Sequence, residues 1–325
     1  MNNKVILITG GTGSFGQKFT EIVLKRYKPK KLIIFSRDEM KQYEMKQVLS
    51  EEKYPNIRYF IGDVRDADRL HRAFHGVDII IHAAALKIVP TAEYNPFEAV
   101  KTNIFGAENV INVAIDNNVK KVIALSTDKA ANPVNLYGAT KLCAEKMFVA
   151  ANNYSPYDTK FSVVRYGNVF NSRGSVVPFF KECRKKGVVP ITDKRMTRFW
   201  ITLEQGVEFV LSCLETMKGG EIFVPKIPSM KITDLAKAIC LDCKQKVIGI
   251  RPGEKLHETL LSSDDGIHSY EFRDRFIIYP KVVGHNSDKK DGKCLGVGFQ
   301  GYRSDNNKEW LDVEQLKRII KSEGF

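Results

Sequence analysis

The sequence predicts an α/β protein built on a doubly wound parallel sheet, with a smaller α/β lobe beside it. Three observations carry that prediction. Apolar strand patterns alternate with helical ones from the first residues, a glycine-rich turn follows the first strand directly, and the alternation weakens only past residue 168. Lys4–Thr9 is a nearly continuous apolar run, as a strand covered on both faces requires. Further strands are predicted at Lys31–Ser36, Ile57–Asp63, Val77–Ala83, Lys121–Thr127 and Phe161–Asn168. Between them lie helices, the clearest being Pro96–Asn117, where Val100, Ile104, Ala107, Val110, Ile111 and Ala114 recur at helical spacing. Beyond residue 168, Ser175–Lys186 reads as a helix, Val188–Thr192 as a short strand, and Leu203–Met217 as an apolar helix leading to strand Glu221–Val224. That last pair is assigned to the main sheet. Residues 1–168 with 201–226 then form the first domain, and residues 169–200 with 227–283 form the smaller lobe. The lobe is expected to hold a helix at Ile232–Cys243 and strands at Lys246–Arg251 and Phe276–Tyr279. The remainder, 284–325, reads as a polar loop, Gly284–Asn307, and an amphipathic helix, Asp312–Lys321, with Val313, Leu316 and Ile320 on one side.

Composition narrows the function classes. Hydrophobic content of 43% and charged content of 27% over 325 residues are ordinary for a soluble globular chain. No apolar run is long enough to span a bilayer, and the N-terminus runs into a strand without a signal-peptide pattern, so a cytoplasmic protein with no membrane partner is expected. Six cysteines then imply reduced thiols rather than a disulfide framework. Cys240 and Cys243 form a C-x-x-C without a second ligand pair, so no metal is expected. The net charge of +13 is dispersed and lacks an aromatic–basic stacking signature, which argues against nucleic acid and suits phosphate-bearing ligands.

Gly10, Gly11, Thr12, Gly13, Ser14, Phe15 and Gly16 sit between a strand and a helix, the context of a Rossmann-type dinucleotide fingerprint. Glycines there admit a pyrophosphate to the backbone N–H groups, and the helix N-terminus favours its charge. A second G-x-G-x-x-G, at Gly296, Gly298 and Gly301, lacks both flanks and is read as chance. About 20 residues past the fingerprint, where an acidic residue would select NAD, stand Ser36 and Arg37, with Lys41 a turn further on. A guanidinium there suits a ribose 2′-phosphate, so NADP is predicted. Asp63, followed by Val64, ends the third strand where it can accept from an adenine amino group; Ala83 and Ala85 leave room for a flat ring. His82 reads as a satisfied buried histidine, and Lys87 faces the same pocket.

The chemistry concentrates where the fifth strand ends in Ser126-Thr127-Asp128-Lys129 and the next helix opens with Tyr137 and Lys141. Tyr137 and Lys141 share one helix face, and an ammonium nearby is expected to lower the phenol and make it an acid/base for a hydroxyl. Tyr27 and Lys31 have the same spacing without that context.

These stretches together resemble the extended short-chain dehydrogenase/reductase family, and within it the C5-inverting UDP-N-acetylglucosamine 4,6-dehydratases. The resemblance runs from Ile6 to about Glu258. It rests on the fingerprint Thr9–Gly16, Phe35-Ser-Arg-Asp-Glu39, Ile61-Gly-Asp-Val-Arg-Asp66, Ala84-Ala-Leu-Lys87, Ser126-Thr-Asp-Lys-Ala-Ala-Asn-Pro133, Tyr166-Gly-Asn-Val169, Met196-Thr-Arg-Phe-Trp200 and Arg251-Pro-Gly-Glu-Lys-Leu-His-Glu258. Ile88 departs from the pattern, which has histidine after the lysine. The resemblance implies a redox-neutral cycle on NADP. In it Tyr137, aided by Lys141, takes the C4 hydroxyl proton, and Lys129 with a depressed pKa removes the C5 proton. Asp128 protonates the departing C6 hydroxyl, and C5 is reprotonated on its opposite face. It implies UDP-N-acetylglucosamine as substrate, a 4-keto-6-deoxy product of β-L-arabino configuration, the first step of pseudaminic acid synthesis for surface or flagellar glycans, and a homo-oligomer such as a hexamer. For the UDP moiety, Arg251 with Glu254, Arg198, Thr192, Asn168 and Val177 are the candidates, since a planar guanidinium suits pyrophosphate. A C5-retaining dehydratase and a 4-epimerase remain as alternatives. The epimerase needs only Tyr137 and Lys141, and a silent NADP-binding scaffold would need neither.

Overall fold

A computed structural model describes residues 1–170, 175–280 and 292–323. The first part winds as β1 (Val5–Thr9), α1 (Ser14–Arg26), β2 (Lys31–Ser36), α2 (Glu39–Val48), β3 (Ile57–Ile61), α3 (Ala67–Phe74) and β4 (Ile79–His82). Short helices α4 (Val89–Tyr94) and α5 (Pro96–Val100), a π-helical turn (Lys101–Phe105) and α6 (Gly106–Asp116) lead to β5 (Lys121–Thr127). A 3₁₀ turn, Asp128–Ala130, then precedes α7 (Leu136–Tyr154) and β6 (Lys160–Tyr166). Next come β7 (Asn168–Val169), α8 (Val176–Arg184), β8 (Val188–Ile191), β9 (Thr197–Ile201), α9 (Leu203–Thr216), β10 (Ile222–Pro225), β11 (Ser229–Lys231), α10 (Ile232–Ile239) and β12 (Lys244–Val247). The chain closes with β13 (Thr259–Leu261), β14 (Ser269–Glu271), β15 (Arg275–Ile278), β16 (Lys293–Cys294), β17 (Tyr302–Arg303) and α11 (Val313–Ser322).

Among the described residues the main sheet has ten strands in the order β16-β14-β15-β10-β6-β5-β4-β1-β2-β3, parallel from β10 to β3. Its parallel strands are the continuous apolar runs of the sequence. β1 is buried at every residue, because helices cover both faces. Strand order reverses between β1 and β4, where Thr9 pairs in register with His82. The carboxyl ends there open the crevice in which ligands of such sheets bind.

Pro96–Asn117, predicted as one helix, is interrupted by the π turn. The slip buries Asn103, whose amide bonds the Leu86 N–H and carbonyl (2.9 Å each) and the Thr140 hydroxyl (3.0 Å). It thereby ties the loop after β4 to α7. Phe170, Val177, Phe180, Trp200 and Leu235 form a second core, onto which α11 packs Leu316 and Ile320. The Asp312–Gln315 capping box starts that final helix where the sequence predicts it.

Four expectations are corrected. Residues 246–251 are not one strand: β12 runs Lys244–Val247 alongside β8. Phe276–Tyr279, expected in the lobe, supplies β15, which returns antiparallel beside β10 and covers that edge of the main sheet. The predicted loop Gly284–Asn307 lies partly outside the described residues, but its later part adds β16 and β17. There the Tyr302 ring packs 4.8 Å from Phe199 and 5.0 Å from Phe276, and its hydroxyl donates to the Ile227 carbonyl. Finally, Cys240 and Cys243 are joined as a disulfide, because the turn after α10 brings their Cα atoms to 5.4 Å. The other four cysteines are free. No helix among the described residues is long and apolar enough to cross a membrane.

Candidate active site

A cleft of about 830 Å³ crosses the carboxyl ends of β1 and β4. Gly10, Thr12, Gly13, Ser14, Phe15 and Gly16 line one wall. Gly10 has φ +66°, and a Cβ on it would stand 2.8 Å from the Ala84 nitrogen; one on Gly16 would strike the Gly11 carbonyl. α1 begins at Ser14 after the N-cap Gly13, which offers no side-chain cap, and its first turn lines the cleft. Glycine-lined backbone over an uncapped helix start fits a dinucleotide pyrophosphate.

At the far end, Thr12 bonds the Ser36 hydroxyl (3.2 Å), and the buried Gln42 amide spans the Ser36 and Phe60 carbonyls (3.0 Å each). Arg37 and Lys41 reach the rim, as predicted, but each is paired: Arg37 with Asp63 at 3.5 Å and Lys41 with Asp38. Asp63 does not stand free for an adenine amino group. Both its oxygens accept from Arg65, and this grip, outweighing burial, holds its carboxyl below the usual range. Val64, Ala83 and Ala85 line the cleft beside it. His82 is the satisfied buried histidine the sequence predicts: it shares a 2.9 Å hydrogen bond with Thr9, and burial, then the Lys141 charge, press it down to about 3.

The reacting end is built by two adjoining elements. α7 is capped by Asn135, whose side chain accepts from the Gly138 N–H (2.8 Å). A Cβ on Gly138 would collide with the Lys129 carbonyl, so glycine lets α7 press against the turn carrying Asp128 and Lys129. Asp128 is fully buried and Lys129 partly so; their side chains meet at 3.0 Å. Asp128, Lys129, Tyr137, Lys141 and Lys87 all line the cleft.

The electrostatics correct two expectations. Tyr137 is not lowered by Lys141. Loss of solvent pushes its phenol up to about 12, and the groups that pull the other way are the Lys129 charge and the Thr127 hydroxyl. Lys141 itself falls to about 8 through burial, with Glu145 opposing. Nor is Lys129 depressed: burial pulls it down, but Asp128 and Glu258 hold the ammonium above the ordinary lysine value. Burial raises Asp128, and the Glu258 charge adds to that rise.

A second cavity of about 600 Å³ adjoins the first and shares Lys129, Asn168 and Arg251 with it. Thr192, Arg198 and Glu254 line it. Arg198 is largely committed to protein, donating to the Thr197, Leu256 and Lys255 carbonyls at 2.7–3.1 Å. Val177 is not in the cleft: it is fully buried with Phe180 on the core side of α8, while Ser175 and Val176 face the opening. Reasoning from sequence missed Glu258, although it closes the Arg251–Glu258 motif. It also missed Asn103 and the buried Glu145–Arg165 pair (2.6 Å) that braces α7 against β6.

A family model described as "Polysaccharide biosynthesis protein" matches residues 6–280. The chain is 57% identical to the UDP-N-acetylglucosamine 4,6-dehydratase (inverting) of Campylobacter jejuni, over 100% of this chain and 99% of that protein. It is 42% identical to a Rickettsia conorii protein named UDP-glucose 4-epimerase, over 98% of this chain and 95% of that one. Among solved structures, Pen from Bacillus thuringiensis superposes with a TM-score of 0.89 at 39% identity, covering 99% of each chain.

Proposed function

From the premise that the chain belongs to the extended short-chain dehydrogenase/reductase family, we propose that it is an NADP-dependent UDP-N-acetylglucosamine 4,6-dehydratase that inverts C5. The observation that carries the reading is the buried Asp128 ion-paired to Lys129 at 3.0 Å beside Tyr137. A 4-epimerase has no need of that pair.

NADP would lie along the fingerprint glycines with its adenosine end at Arg37 and Lys41, and when bound it supplies hydride acceptance at C4 and hydride return at C6. The proton work belongs to the chain. Tyr137 takes the C4 hydroxyl proton in its phenolate form, which burial disfavours and the Lys129 charge and Thr127 hydroxyl favour, and the ketone then acidifies C5. The ion pair contains both remaining catalysts: moving one proton from Lys129 to Asp128 yields a neutral amine and a carboxylic acid without changing the net charge. Burial raises Asp128 toward that shift, while the Asp128 and Glu258 charges hold the Lys129 proton against it. The amine takes the C5 proton, and the acid gives its proton to the C6 hydroxyl, which leaves as water. Protonation of C5 on the opposite face sets the β-L-arabino configuration, a product suited to the first step of pseudaminic acid synthesis. Lys87, Asn168, Thr192, Arg251 and Glu254 hold the UDP-sugar, and Arg198 contributes by fixing the wall behind it. A homo-oligomer is supported by Tyr94 and Phe97, which are 87% and 77% exposed on α4 and α5.

Mass spectrometry of UDP-N-acetylglucosamine incubated with the protein and catalytic NADP⁺ tests the reading. A product lighter by one water, without net reduction of NADP⁺, is expected. A product of unchanged mass identified as UDP-N-acetylgalactosamine would replace it with the epimerase reading, which the Rickettsia similarity favours.

A further inference from the structure

Glu258 lies outside the roles assigned above, yet it is only 2% exposed and its Oε1 stands 3.3 Å from the Lys129 ammonium. It reaches Lys129 as the last residue of a loop, distant in sequence, docked on the Asp128–Ala130 turn. That docking includes a 2.7 Å hydrogen bond from the Lys255 ammonium to the Ala131 carbonyl. The backbone of Glu258 is clamped at both ends by Ser304, whose hydroxyl accepts from its N–H (2.9 Å) and whose N–H donates to its carbonyl (2.9 Å). Arg198 flanks the same carboxylate at 3.7 Å. The second oxygens of Glu258 and Asp128 are both buried without a protein partner. Two carboxylates converging on one ammonium, each with an oxygen to spare, is an arrangement that holding a surface lysine does not require.

We propose that Glu258 is the positioning residue for Lys129: its carboxylate aims the amine and stabilises the ammonium formed when Lys129 takes the C5 proton. The inference rests on the dehydratase reading. Burial pushes the Glu258 carboxyl up, but Lys129, Arg198 and Lys255 hold it below the usual range, so it is an anion at neutral pH. The charged or titratable groups facing Lys129 are Asp128, Glu258, Arg198, Tyr137, Lys87 and Lys255. Of these, only Glu258 is an anion that raises both members of the Asp128–Lys129 pair.

The test is Glu258→Gln, with NMR of C5 proton exchange in D₂O and single-turnover nicotinamide absorbance read separately. C5 exchange is expected to slow about a hundredfold, the scale of one acid–base contribution, with KM within about twofold of the parent. Reduction of the cofactor, which reports C4 oxidation, is expected to persist. The pH profile of exchange is expected to move to lower pH, because an anion that raised both groups is gone; Glu258→Asp should restore its position. An unmoved profile, or a loss appearing as raised KM with C4 oxidation equally impaired, overturns the proposal. If Glu258→Gln does not fold, Ser304→Ala, which loosens the clamp, should move the profile the same way by less, and an unmoved profile there is equally fatal. Parent protein that shows no C5 exchange at all would fail the dehydratase reading instead.

Discussion

Lys141 is a buried ammonium, 4% exposed, whose pKa falls from 10.5 to about 8 because burial outweighs the attraction of Glu145. At about 1.4 kcal/mol per pKa unit, keeping it charged below that value costs the fold about 3 kcal/mol relative to the unfolded chain. Between about 8 and 10.5 the folded state has shed the proton while the unfolded state still binds it, so stability contributed at this site rises with pH across that window. Replacing Lys141 with methionine removes the cost. Urea denaturation of the cofactor-free parent and Lys141→Met should show the variant favoured most at neutral pH. That advantage should shrink by about 3 kcal/mol as pH climbs through the window, since every other titrating group is common to both. A stability difference independent of pH, or one growing with pH, would refute the claim that this ammonium is held against its solvation. Activity should be lost in the variant at every pH, so gain of stability and loss of function part company at one residue.

Gly10→Ala forces a side chain into φ +66° and against the Ala84 backbone; a loss of about 1–3 kcal/mol in thermal unfolding and of detectable NADP binding by calorimetry is expected. Arg37→Ser should weaken NADP by about ten- to a hundredfold while leaving NAD binding nearly unchanged, the worth of a charge-assisted hydrogen bond to a 2′-phosphate. Equal loss for both cofactors would reassign Arg37 to structure. Arg165→Met strands the fully buried Glu145 carboxylate and should cost about 3–5 kcal/mol by urea denaturation, far more than removing an exposed pair such as Lys317–Glu314.

The strands around the cleft were legible because buried parallel strands such as β1 and β5 are written as unbroken apolar runs, and the glycine turn has one physical context that gives it meaning. What escaped has physical reasons. A π turn at Lys101–Phe105 leaves the apolar spacing of its flanks intact, so Asn103 gave no periodic signal. β16 and β17 are two residues each, too short to alternate, and the burial of Tyr302 depends on Phe199 and Phe276, distant in sequence. Placement of Val177 turned on which face of α8 meets the lobe, where helical spacing with Phe180 already pointed inward. Signs of pKa shifts failed for the same kind of reason. The sequence shows that Lys141 is four residues from Tyr137, but not how much solvent the phenol loses, nor that Glu258 closes on Lys129 from a distant loop.

The central claim is that Lys129 and Asp128 together make this fold an inverting dehydratase, and proton NMR of the reaction in D₂O tests it most directly. With UDP-N-acetylglucosamine and catalytic NADP⁺, the parent should give a 4-keto-6-deoxy sugar carrying deuterium at C5 with inverted configuration, and Lys129→Glu should not give that product. Retained C5 configuration from the parent, or an unchanged inverted product from Lys129→Glu, would contradict the account.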